Sequence, residues 1–197
     1  MTKFQKILAG ILILQIALTA VVFLSSRPAV ASNNPLIEVF DPDEITSLTI
    51  YGNAGEKITM EKNNDNWVLP EADNFPVIPQ NVSDLLDKVA TIRDNRLVTN
   101  TSASHKRLQV DENEFQQKIE FTSQKSTITL FIGSSPASNN VHIRIGKSDA
   151  VYLTNALASI QISPTHSNWI DPSLIQITSA NVQIVSLTTS NSNFHFF

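Results

Sequence analysis

Residues 118–154 read KIEFTSQKSTITLFIGSSPASNNVHIRIGKSDAVYLT, and this stretch decides the fold. Four β-rich runs sit inside it: Lys118–Thr122, Thr127–Ile132, Val141–Ile145 and Ala150–Thr154. Each is built from β-branched or aromatic residues placed next to polar ones, the pattern of a strand with one buried face. The links are Ser123-Gln124-Lys125, Gly133 to Asn140, and Gly146-Lys147-Ser148-Asp149. Such turn-rich links are short enough for hairpins, so an antiparallel sheet is predicted.

The same grammar appears upstream. Asp41-Pro42-Asp43-Glu44 is a turn, and Ile45-Thr-Ser-Leu48-Thr-Ile50-Tyr51 after it is a partly alternating strand. Turns at Gly52–Gly55 and Asn63–Asn66 separate it from Lys57–Glu61 and Trp67–Leu69, giving a three-stranded meander that ends at Pro70. Then the period changes. Val82, Leu85, Leu86, Val89 and Ile92 fall on one face of a helix, with Asn81 as its expected cap and Asp84, Asp87 and Lys88 toward solvent. Leu97-Val98 is a further short strand, and residues 102–108 and 111–115 are helical or tight turns, as is Ala156 to Ile160. The fold class is α+β: mainly an antiparallel sheet of short hairpins with one main packed helix, plus an N-terminal transmembrane or signal helix.

The N-terminal segment has a different composition. Lys3 and Lys6 precede eighteen uncharged residues, Ile7–Leu24, of which twelve are Ile, Leu, Val or Phe. As a helix this run spans about 27 Å, close to the ~30 Å hydrocarbon core of a bilayer. Its apolar side chains favour insertion by up to about 5 kcal/mol. The lysines stay cytoplasmic and the rest of the chain is translocated, with Arg27 opposing weakly. Ala29-Val30-Ala31 also has the small-x-small form of a cleavage signal. Two topologies follow: a single-pass anchor in the inner membrane through residues 7–24 with the domain in the periplasm, or secretion after cleavage near Ala31. Residues 25–39 are a spacer and 40–180 form the extracytoplasmic domain. Residues 181–197 form a C-terminal hairpin whose pattern, Val182 to Leu187 then Phe194 to Phe197, repeats that of Ile45 to Met60 like the start of a truncated second copy.

Charge and composition exclude several functions. Beyond residue 31 eleven basic residues face eighteen acidic ones, a net charge of −7. That argues against nucleic acid and anionic lipid surfaces as partners. The chain has no cysteine, so disulfides, thiolate chemistry and Cys-ligated zinc are excluded. His105, His142, His166 and His195 lack metal-ligand spacing. Asp111-Glu112-Asn113-Glu114 lacks the alternation and central glycine of a calcium loop. Gly133-Ser134-Ser135-Pro136 follows a strand but lacks the second glycine of a nucleophile elbow, and no nucleotide-binding glycine loop is present. No catalytic, cofactor-binding or metal residue is therefore expected, and the sequence reads as non-enzymatic. Arg144 and His142 share one strand face, where Arg144 is expected to form an exposed ion pair with Glu120 or Asp149. Trp67, Trp169 and Tyr152 read as core or hairpin aromatics.

The order of these signals resembles a known family. After the membrane helix come Phe40-Asp-Pro-Asp-Glu-Ile45, Glu56 to Lys62 and Asn66-Trp67-Val-Leu-Pro70. Leu85-Leu86-Asp87-Lys88, Ser104-His-Lys-Arg-Leu108 and Asp111 to Phe115 follow. Ile132-Gly133, Val141-His-Ile-Arg144, Val151-Tyr152-Leu153 and Trp169 to Leu174 complete the series. Across about residues 40–187 this is similar to the domain of unknown function 4340 family (DUF4340). The resemblance implies a bacterial protein anchored by one N-terminal helix with its domain outside. Some such proteins resemble the auxiliary subunit of a gliding-motility-type ABC transporter, which implies an envelope protein complex or ABC transporter as partner. It implies no catalytic residue. This sequence departs from longer members by ending at Phe197, which puts in doubt any role that needs a complete second unit. The expected function is a membrane-tethered extracytoplasmic interaction or accessory protein. The alternative is a secreted periplasmic binding module for a saccharide, peptide or envelope polymer, with an exposed aromatic groove at Trp67 or Trp169.

Overall fold

The computed structural model describes residues 3–25, 33–157, 162–172, 185–189 and 192–196. The cleavage signal at Ala29–Ala31, part of the turn expected at 156–160 and the start of the strand expected at Val182 lie outside the described residues.

Helix α1 spans Lys3–Ser25, 23 residues with almost no polar face. It is long and apolar enough to cross a membrane or to act as a signal sequence.

The body is one antiparallel sheet. Its strands are β1 (Ile45–Gly52), β2 (Lys57–Asn63), β3 (Asn66–Leu69), β4 (Phe75–Pro76), β5 (Leu97–Asn100), β6 (Gln117–Ser123), β7 (Thr127–Ile132), β8 (Val141–Ile145) and β9 (Ala150–Thr154). They lie in the order β4-β3-β2-β1-β6-β7-β8-β9-β5. Two runs of hairpins meet where β1 pairs with β6, and β4 and β5 form the two edges. A separate hairpin joins β10 (Val185–Thr189) to β11 (Ser192–Phe196).

Helix α2, Pro79–Thr91, belongs to the connection between the two edges. Eight strand spacings make the sheet about 38 Å wide. A 13-residue helix covers about 20 Å and residues 92–96 span at most about 17 Å more, so the connection has just enough length to cross the sheet. Val82, Leu85, Leu86 and Val89 are buried in one core with Leu48, Ile50, Ile58, Met60, Ile119, Phe121, Leu130, Ile132 and Ile143 of the sheet. Trp67 and Trp169 close this core, and the Trp169 Nε1–H donates to Ser163 O at 2.7 Å.

The expected helix is present, but its start differs. Ile78 is the N-cap and Pro79 opens the first turn, where its missing N–H costs nothing. Asn81 lies inside the helix, and its Nδ2 donates to Asn168 O at 2.9 Å.

A bulge explains the imperfect alternation in β1. Ile45 opposes Ser123 and Ser47 opposes Thr122, so Thr46 is an extra residue and Leu48 returns to the buried face. The same irregularity occurs in β5, between Leu97 opposite Tyr152 and Thr99 opposite Val151.

Part of the sheet's other face is also covered. Helix α3, His105–Leu108, and the following turn pack Leu108, Val110 and Phe115 over Phe131 and Val151.

Candidate functional site

The sequence singled out Ser134, His142 and Arg144, and all three lie under or beside this cover. Arg144 is 3% exposed, which corrects the expected surface ion pair. Its Nε donates to Val110 O at 2.7 Å and its Nη1 to Ser148 O at 3.2 Å. The acid it meets is Glu112, at 3.2 Å, rather than Glu120 or Asp149. The guanidinium lies 4.3 Å from the Phe131 ring centroid. Alternation placed Arg144 off the main core correctly, but that face is covered by the 105–116 segment. Glu120 instead bonds Lys118 at 2.9 Å and accepts from the Tyr51 hydroxyl at 2.9 Å. Burial, and then Glu120, raise the Tyr51 phenol to about 12.

Ser134 and His142 are neighbours, with Oγ 3.1 Å from Nδ1. His142 Nδ1 is closer to the Ser134 carbonyl, at 2.8 Å, and Ser134 Oγ donates to Leu108 O at 3.2 Å. A ring nitrogen that donates to a carbonyl cannot take a proton from the serine. The pair is wired as a loop clamp, and desolvation holds the imidazole below its ordinary pKa. His105 is buried as well, its Nε2 3.1 Å from Asp149 O, while His166 is exposed. Among the described residues no three His, Asp or Glu side chains converge as metal ligands do.

Both tryptophans are buried, Trp67 at 8% and Trp169 at 2% exposure, so neither offers an open stacking platform. A hollow of about 250 Å³ reaches Trp67 beside Pro76, Pro79 and Asp171.

A larger concavity, about 420 Å³, is elsewhere. It lies at one end of the sheet, where β1 ends at Gly52, β6 begins at Gln117 and β7 ends at Ile132. Four amides line it: Asn53 in the β1–β2 turn, Gln109 just past α3, Gln116 before β6, and Gln117 at the start of β6, whose Nε2 donates to Ile162 O. Gln109 holds a φ of 58° as the α3 cap, and its N–H donates to Lys106 O. Asn53 Nδ2 donates to Gln116 Oε1 at 3.3 Å. Glu56, Ser134 and Ser135 supply further polar groups, and Pro164 and Ile132 supply apolar ones. Gly133 also lines it, and a Cβ there would collide with Leu108 O and lie 2.6 Å from Val110 Cγ1. Sequence reasoning missed the amides: amides in turns have no diagnostic spacing, and only the tertiary fold gathers them.

Fold and surface together define an α+β domain, one nine-stranded antiparallel sheet strapped by a helix, carried behind an apolar N-terminal helix. The DUF4340 family model, a domain of unknown function, matches residues 67–196, and the chain belongs to this family. The matched range begins later than the resemblance at residue 40 and continues over the terminal hairpin. No curated protein and no solved structure matches the chain.

Proposed function

We propose that the chain is a membrane-tethered extracytoplasmic interaction protein, an accessory component of a bacterial envelope complex or of an ABC transporter. Helix α1 supports the tether by its length and its apolar surface. The observation that carries the reading is the edge strand β5. No strand lies beyond it among the described residues, and its bulge leaves Leu97 51% and Val98 44% exposed. Proteins usually blunt such an edge with charge or proline, because it invites pairing with another chain. At the opposite edge, β4 is two residues long and ends in Pro76, so it is blunted in this way. Strand addition along β5 gives a partner main-chain hydrogen bonds and two apolar contacts.

Capture of the full chain from native membranes at native expression tests the reading. A stoichiometric membrane partner is expected, and Val98→Lys is expected to release it while leaving the melting temperature unchanged. A chain that migrates alone at native levels would overturn the proposal. The secreted-module alternative loses its aromatic groove, since both tryptophans are buried. N-terminal sequencing of the mature protein separates the two topologies: Met1 for the anchor, Ser32 for the secreted form.

A further inference from the structure

The cleft at the sheet end has a lining that fits one ligand chemistry. We propose that it binds a short stretch of neutral glycan. This goes beyond the tethering reading and requires neither a partner complex nor the anchor.

Size is the first argument. About 420 Å³ falls within the range of small-ligand sites and accommodates more than one sugar ring. Chemistry is the second. Asn53, Gln109 and Gln116 each carry both donors and an acceptor, as sugar hydroxyls do. Among the described residues, the bond from Asn53 Nδ2 to Gln116 Oε1 leaves the Asn53 Oδ1 acceptor and the Gln116 Nε2 donors for a ligand. Glu56 is exposed at the rim, one oxygen accepting from Ala54 N at 3.1 Å, and adds an acceptor for a hydroxyl pair.

Charge is the third argument. Among the described residues no Lys or Arg lines this cleft, so they supply none of the clamp that a phosphate, nucleotide or acidic polymer requires. Its position is the fourth. It opens at the ends of β1, β6 and β7 rather than along an edge, so an extended peptide would find no ladder to join. Finally, a hollow of about 310 Å³ shares Asn53, Gln109 and Gln116 with it and is lined by Phe115, and by Lys106 and Glu114, which pair with each other at 3.0 Å. That half-buried ring supplies an apolar patch for the C–H face of a neighbouring sugar. The two hollows together suit a chain rather than a monosaccharide.

The test uses the full chain in lipid nanodiscs, free of sugar detergents. Titration calorimetry and saturation-transfer NMR are run with chitotetraose, maltotetraose and an acetylated, amidated tetra-alanine. Saturable binding of at least one tetrasaccharide, with a Kd below about 1 mM, is expected. Asn53→Ala with Gln116→Ala removes the bonded pair of amides, and Asn53→Trp fills the opening. Both changes lie at solvent-accessible positions, and each is expected to weaken binding at least tenfold with an unchanged melting temperature. The proposal is overturned if neither tetrasaccharide binds, if binding survives both variants, or if only the capped peptide binds.

Discussion

Arg144 shows how one side chain can fix a segment that has little apolar surface of its own. The 105–116 cover contributes only Leu108, Val110 and Phe115 to its small core. Arg144 adds bonds to two main-chain carbonyls, one on each side of β8 in sequence, and stacks on Phe131. Arg144→Ala leaves both carbonyls unpaired and opens a void, so a loss of about 3 kcal/mol in urea unfolding is expected. Glu112 is 65% exposed and solvent screens it, so Glu112→Ala is expected to cost less than about 1 kcal/mol. Equal losses would show that the ion pair, and not the carbonyl bonds, holds the cover. Tyr51 gives a pH prediction. Its neutral form is favoured in the fold, so the stability it contributes is complete below pH 10 and is lost as pH rises toward about 12. Ultraviolet titration of the phenol should find a midpoint near 12, and Glu120→Gln should lower it. Alternation alone placed Arg144 and His142 together on one strand face. The partners of Arg144 and Tyr51 were not legible, because Glu112 and Glu120 are brought to them by tertiary and cross-strand pairing.

At the scale of elements, the strands were legible because each carries its own alternation. Even the irregular run in β1 reads correctly once Thr46 is understood as a bulge. The order of the strands was not legible. Hairpins are local, but the β1–β6 junction joins residues as far apart as Ile45 and Ser123, and neither strand's pattern names the other. Asparagine is a favoured cap, which points to Asn81 as the start of α2, but the helix begins with Pro79 in its first turn and Ile78 as the N-cap, which has no side-chain capping bond. Contact between elements also governs Gly133. Added volume there meets the backbone of α3's last residue, Leu108, which cannot rotate away as a side chain would. Gly133→Ala is expected to cost about 2–3 kcal/mol, read as a lower denaturation midpoint, and to loosen the wall of the amide-lined cleft. A neutral result would mean that the 105–116 cover shifts freely over the sheet.

For the whole molecule, the distance between α1 and the body sets what the body can reach. Seven residues, 26–32, separate Ser25 from Asn33, so fully extended chain spans at most about 27 Å. Inserting about twenty Gly and Ser residues there should leave the melting temperature unchanged and lower capture of a membrane partner several-fold, through a smaller effective concentration. Unchanged capture would place the partner away from the membrane. The chain enters the body by a specific route. Asn34 N donates to Asp94 Oδ1, Asp94 N to Asn34 O, and Leu36 N to Ile92 O, each at about 3 Å. These bonds fasten the entering strand to the stretch just after α2, and Phe40 then stacks edge-on against Phe121 of β6. A mechanical load drawn through α1 would therefore strain those few bonds first, before it reached the ladder between β1 and β6. They would part as a fuse does, letting the tether lengthen by several residues while the sheet stayed whole.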